Sequence, residues 1–178
     1  MKTTIQNNRE HRTAYVRRQR GIGLLEILIT VLLLSIGFLA AAKMQVQGMR
    51  FSQSAYTQAQ AYFMISEMMD RMRSNLDAVR DGHYDNLVTS SNMTNPNCDT
   101  NFCTPERLAD QDLFDWSAML FPLRGGQNFI PVLPSSDNIV AEASVTAVGN
   151  GYYQLRAEWI ERIGDQDKPQ EMMLEFAL

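Results

Sequence analysis

Residues 18–31 read RQRGIGLLEILITV. Basic residues stop at Arg20, an apolar run begins at Ile22, and one acid, Glu26, sits inside that run. The run continues as IGLLEILITVLLLSIGFLAAA, residues 22–42, broken otherwise only by the hydroxyls of Thr30 and Ser35. At about 1.5 Å per residue a helix of this length spans roughly 31 Å, one hydrocarbon core. A helix apolar on every face is hard to bury inside a small soluble domain, so this segment reads as membrane-spanning.

Charge supports that reading and gives it a direction. The chain has 178 residues and a net charge of −4, unevenly spread. Residues 1–21 carry Lys2, Arg9, Arg12, Arg17, Arg18 and Arg20 against Glu10, a balance of +5, which leaves −9 for the rest. A basic head before an apolar run keeps the head cytoplasmic. An acidic body argues against nucleic-acid binding by this chain alone. The polar, basic stretch 1–20 lacks apolar periodicity and reads as a disordered leader.

Beyond the apolar run, residues 43–79 contain no proline and one glycine, Gly48. Ala55, Ala59, Tyr62, Ile65, Met69, Met72, Leu76 and Val79 recur in steps of three and four. They predict one continuous helix to Val79 with a single apolar stripe, stopped near Gly82. Residues 86–104 are rich in Ser, Thr and Asn and read as a loop holding Cys98 and Cys103. Thr104 and Pro105 suit a helix start, with Leu113, Trp116 and Leu120 on one face of a helix over 105–121.

The period then changes to two. Residues 139–147, 152–160 and 171–178 alternate apolar with mostly polar side chains. They predict three strands in an antiparallel meander, joined by GNG at 149–151 and by GDQDKP. The apolar face of that sheet needs a cover, and the stripe on the long helix supplies it. If the apolar run carries the C-terminal part across a membrane, the compartment is oxidising and Cys98 pairs with Cys103.

The basic leader, Gly21, the apolar run and Glu26 as fifth residue after Gly21 resemble the start of type IV pilins and pilin-like proteins. The predicted order of elements is similar to theirs over the whole chain. The class expected is α+β, a type IV pilin fold. Its long N-terminal helix has a transmembrane first half and an amphipathic second half, packed on a small C-terminal antiparallel sheet with a short extra helix. Residues 32–75, LLLSIGFLAAAKMQVQGMRFSQSAYTQAQAYFMISEMMDRMRSN, further resemble the PilV-type minor pilins, the type IV pilus modification proteins. The sequence departs from the common pattern at Ile22, where Phe is usual, and at Gly23. It departs also at Lys43, where major pilins often carry Pro, and in cysteines placed mid-chain.

The resemblance implies a three-part chain. Residues 1–21 are a leader removed by a prepilin peptidase that cuts between Gly21 and Ile22 and methylates the new amine. Residues 22–42 are the membrane and filament-core helix, and 43–178 the periplasmic globular domain. The protein starts in the bacterial inner membrane, single-pass, with its N-terminus cytoplasmic, and then moves to the pilus at the cell surface. Implied partners are other minor pilins, the major pilin, the inner-membrane assembly platform and, before assembly, lipid. The implied role is a minor pilin in or near the tip, priming assembly and supporting twitching motility, adhesion or DNA uptake.

A carboxylate at membrane depth costs roughly 2.5–3.5 kcal/mol on insertion scales. Cleavage would provide its partner, an ammonium at Ile22, either in the same chain one turn away or in a neighbour. Glu26 also lies within about 8 Å of the expected cytoplasmic edge, where an incidental acid can snorkel. Elsewhere no nucleophile–base pair, phosphate loop or ligand set stands out, so neither enzyme activity nor a metal or cofactor is expected. The acids of ERLADQDLFD, 106–115, read as a solvated helix face. Two alternatives remain: a type II secretion pseudopilin, which shares leader and helix, and a secreted or periplasmic binding protein cut after Ala42 in FLAAAKM.

Overall fold

The computed structural model describes residues 23–125, 128–163 and 166–178. The expected leader and the Gly21–Ile22 bond therefore lie outside the described residues. In chain order the elements are α1 (Leu24–Ser74), α2 (Leu76–Arg80), β1 (Leu87–Val88), α3 (Pro105–Ser117), β2 (Glu142–Gly149), β3 (Tyr152–Ile163) and β4 (Gln166–Ala177). The chain divides after Val46 into two units.

In the first unit every described residue, Gly23 to Val46, is exposed. The two hydroxyls in its apolar run are already satisfied. Thr30 Oγ1 donates to the Ile27 carbonyl over 2.8 Å, and Ser35 Oγ to that of Val31 over 2.7 Å. Back-bonding of this kind lets Ser and Thr sit in an apolar helix without an unpaired donor. α1 is long and apolar enough to cross a membrane.

The second unit begins at Gln47 and holds the core. From α1 it takes Ala61, Met64, Ile65, Met68 and Met72, in steps of three and four. This corrects the expected stripe. Ile65 and Met72 belong to it and Met69 packs at its margin, but Ala55, Ala59, Tyr62 and Leu76 are exposed. Periodicity alone gives the angular width of a face, not its centre, and four methionines offered two registers about equally apolar.

The long helix also ends earlier than expected. Asn75 leaves helical geometry at φ −125° and ψ 53°. Its side-chain amide donates to the Tyr84 hydroxyl over 3.1 Å and to the Pro105 carbonyl over 2.8 Å. A five-residue α2 follows and stops at Gly82, whose φ is +80°. The His83 amide reaches back to the Ala78 carbonyl and that of Gly82 to Val79, the paired bonds of a Schellman motif. The glycine is required there by its left-handed backbone.

The sheet has four antiparallel strands in the order β1-β2-β3-β4. The expected meander is β2, β3 and β4, each running beyond or starting differently from the sequence bounds. Asn150 and Gly151, with φ of 54° and 76°, form the β2–β3 turn, and the register shifts at the bulge between Ala147 and Gly149. β1 corrects the reading of 86–104 as a loop throughout. It pairs Leu87 with Val145 and Val88 with Ser144. Two residues are too few for a period-two signal.

Ala143, Val145, Tyr153, Leu155, Ala157 and Trp159 on the inner face form one buried cluster with the α1 residues and with Trp116 and Leu120. α3 starts as expected: Pro105 is its first residue, and the Thr104 hydroxyl accepts the Arg107 amide over 3.4 Å. It ends at Ser117 and not at residue 121. The architecture is α+β, a long N-terminal helix with a four-stranded antiparallel sheet and a short extra helix, consistent with the type IV pilin fold.

Candidate functional site

Glu26 lies in the first turn of α1, where a carboxylate is favoured by the helix dipole. Its amide donates to the Gly23 carbonyl over 2.9 Å, so the helix is already formed around it. The side chain is exposed. The neighbouring Leu24, Leu25, Ile27 and Leu28 are at least half exposed too. An acid therefore stands on an apolar surface near the helix start, one turn after position 22. Gly21 and Ile22, the other two expected processing residues, lie outside the described residues.

The cysteine-bearing loop is built differently. Cys98 and Cys103 form a disulfide across a Cα separation of 5.5 Å. The loop is tied to α3 by its backbone: the Cys98 amide donates to Gln111 Oε1 over 3.0 Å, and Arg107 Nη2 to the Pro96 carbonyl over 2.9 Å. Within the loop, Phe102 is 96% exposed.

A polar cluster that sequence reading missed joins α1 to α3. Arg71 Nη1 donates to Asp112 Oδ1 over 3.0 Å and to Asp115 Oδ2 over 3.2 Å, while Nη2 reaches Glu67 Oε1 at 2.7 Å. The Tyr84 hydroxyl donates to Asp112 Oδ2 over 2.5 Å. Asp112 and Tyr84 are buried. The expectation that the acids of 106–115 form a solvated face is therefore wrong at Asp112, and the Asp115 side chain is also largely covered. The signal was available: Asp112 lies three residues after buried Ala109 and four before buried Trp116, which places it on their face. Its burial is tolerated because Arg71 and Tyr84 satisfy it.

Burial alone would lower the Arg71 pKa. Hydrogen bonds to Glu67 and Asp112 and the attraction of both carboxylates outweigh burial and hold it above the ordinary value. Burial, then the bond to Asp112, raises the Tyr84 phenol. Burial and the bond to Asp85 push Tyr153 up to about 12. None of these phenols is activated for proton transfer near neutrality. Among the described residues no group of three or more His, Cys, Asp or Glu side chains converges as a metal would need. Chemically the cluster is a clasp, and Trp116 Nε1 completes it by donating to the Met64 carbonyl over 3.0 Å.

Residues 16–42 match the prokaryotic N-terminal methylation motif. The match spans the end of the basic N-terminal stretch, Gly21, Glu26 and the apolar run. No curated protein and no solved structure matches the chain. The motif, the exposed apolar helix and the α+β fold together fit a membrane-anchored, type IV pilin-like protein.

Proposed function

We propose that the chain is a minor pilin of a type IV pilus, placed in or near the tip, where it helps to initiate assembly. Twitching motility, adhesion or DNA uptake then depend on it indirectly. Prepilin peptidase removes residues 1–21 and methylates the amine of Ile22. Residues 22–42 hold the protein in the inner membrane and later pack among neighbouring helices. Residues 43–178 form the periplasmic domain. Other minor pilins, the major pilin and the assembly platform are its partners.

One observation carries this reading: Glu26, fifth after Gly21 within the matched motif, stands on an exposed apolar helix with no cation beside it among the described residues. Before cleavage it sits near the membrane edge. After cleavage an ammonium appears at Ile22, and methylation leaves that charge in place. Pairing with the terminus of an adjoining subunit would lower the cost of the buried acid and fix the axial register. The likeness of residues 32–75 to PilV-type minor pilins favours the pilus over a secretion pseudopilus.

The test is Glu26→Ala as the sole copy. The variant should be processed normally and enter pili poorly. Normal incorporation with normal piliation would contradict the pairing model.

A further inference from the structure

The two edges of the sheet differ. β1 closes one edge with two residues, whereas β4 leaves the other open along twelve. β4 pairs only with β3 among the described residues, and no backbone group bonds its outer side. The Pro169 carbonyl accepts from Gln170 Nε2 over 3.0 Å, and beyond it alternate N–H and C=O groups have no partner on that side among the described residues. Natural sheets guard such edges with Lys, Pro, bulges or a covering segment. Here Lys168 and Pro169 guard the first part, and from Gln170 onward neither residue type recurs.

The side chains beside that edge are also incomplete. On β3 the inward row is buried, but on β4 Met172, Leu174 and Phe176 are only half-buried. One further strand would cover them. On the opposite face of β4 stand Glu171 and Glu175, both exposed. Glu171 is paired with Arg156, and Glu175 has no ion-pair partner among the described residues.

We infer that the outer edge of β4 over residues 170–177 docks an extended segment from a partner. That segment carries apolar side chains at every second position and Lys or Arg between them. The backbone edge supplies hydrogen bonds, the half-buried row supplies the apolar seat, and Glu175, the acid left unpaired among the described residues, selects a basic residue beside it. Charge argues against a second copy of β4 as the occupant. An antiparallel pair centred on Met173 sets Glu171 opposite Glu175 twice, and like charges directly opposite are destabilising. The inference goes beyond the filament reading and does not depend on processing at Gly21.

The test uses the full chain in phosphatidylcholine nanodiscs, with empty discs as baseline, and three peptides. One is a seven-residue alternation of Val and Lys, the second replaces Lys with Glu, and the third is the Val–Lys peptide methylated on every backbone nitrogen. Binding is followed by fluorescence anisotropy, and amide hydrogen exchange locates it. The Val–Lys peptide should bind and slow exchange within 170–177, and the methylated and acidic peptides should not. Glu175→Lys should weaken Val–Lys binding by about two- to fivefold and restore some binding of the acidic peptide. Equal binding of the methylated peptide, protection elsewhere, or no binding at all would overturn the inference. Concentration-dependent protection of 170–177 without peptide would replace the partner with a second copy and overturn it as well.

Discussion

Arg71 of α1 donates to Asp112 of α3 across 3.0 Å, and the same carboxylate accepts the Tyr84 hydroxyl at 2.5 Å. A helix whose buried face is largely methionine, with Ala61 and Ile65, is thus pinned to α3 by a charge pair, with Trp116 bonded to the Met64 carbonyl alongside. Methionine packs adaptably and specifies position weakly. The charge pair supplies a fixed rotation of α1 against α3.

Removing one partner should cost more than the pair contributes, because it leaves the other charge buried. Arg71→Met should destabilise by about 3 kcal/mol. Asp112→Asn should cost less, about 1–3 kcal/mol, since Arg71 keeps Glu67 and Asp115. The measurement is urea unfolding of the full chain in detergent, followed by near-UV circular dichroism of the tryptophans. Equal and small losses would assign the cluster to the solvated surface.

Alkaline pH should loosen the contacts of Tyr84 with Asp112 and of Tyr153 with Asp85. Tyr153 titrates at 10.0 when free and about 12 in the fold, and Tyr84 is also raised. The folded state therefore favours the neutral phenols. Their contribution is fully present below the unfolded value and is lost as pH climbs through the folded one. Midpoint temperatures should hold up to about pH 10 and fall between about pH 10 and 12. Tyr153→Phe should flatten part of that fall. A midpoint that is flat in this window would contradict the raised values.

The disulfide closes a loop of only six residues, Cys98 to Cys103. Chain entropy for so small a loop gives about 2 kcal/mol. Alkylation without reduction should leave both sulfurs unmodified. Cys98→Ser with Cys103→Ser should lower stability by about that amount while the α1–α3 cluster stays formed.

Gly82 offers a narrower test. Its φ of +80° favours glycine, and a Cβ there would meet Asp85 Oδ2 at 3.3 Å. Gly82→Ala should cost about 1–2 kcal/mol in the same unfolding experiment. Gly48→Ala, in the helix interior with open space around it, should be neutral or slightly stabilising.

How much of this was written in the sequence varies with the kind of signal. The apolar run, Thr104 with Pro105, and the alternation in β3 are strong local signals, and they led to the right elements. Asn75 gave no such sign, because the amide that breaks the helix answers to Tyr84 and Pro105, nine and thirty residues away. β1 exists only because β2 presents it an edge. Asp112 was misread because its charge was weighed before its position between Ala109 and Trp116. At the apolar segment the sequence says more than the fold, since the proposed cut between Gly21 and Ile22 lies outside the described residues.

In the proposed cycle Glu26 acquires its partner by that cut. Mass spectrometry of the protein purified from its cells reads the mature N-terminus directly. The expected mature chain begins with N-methylated Ile22. A chain that begins at Lys43, or one that retains residues 1–21 in assembled filaments, would contradict it.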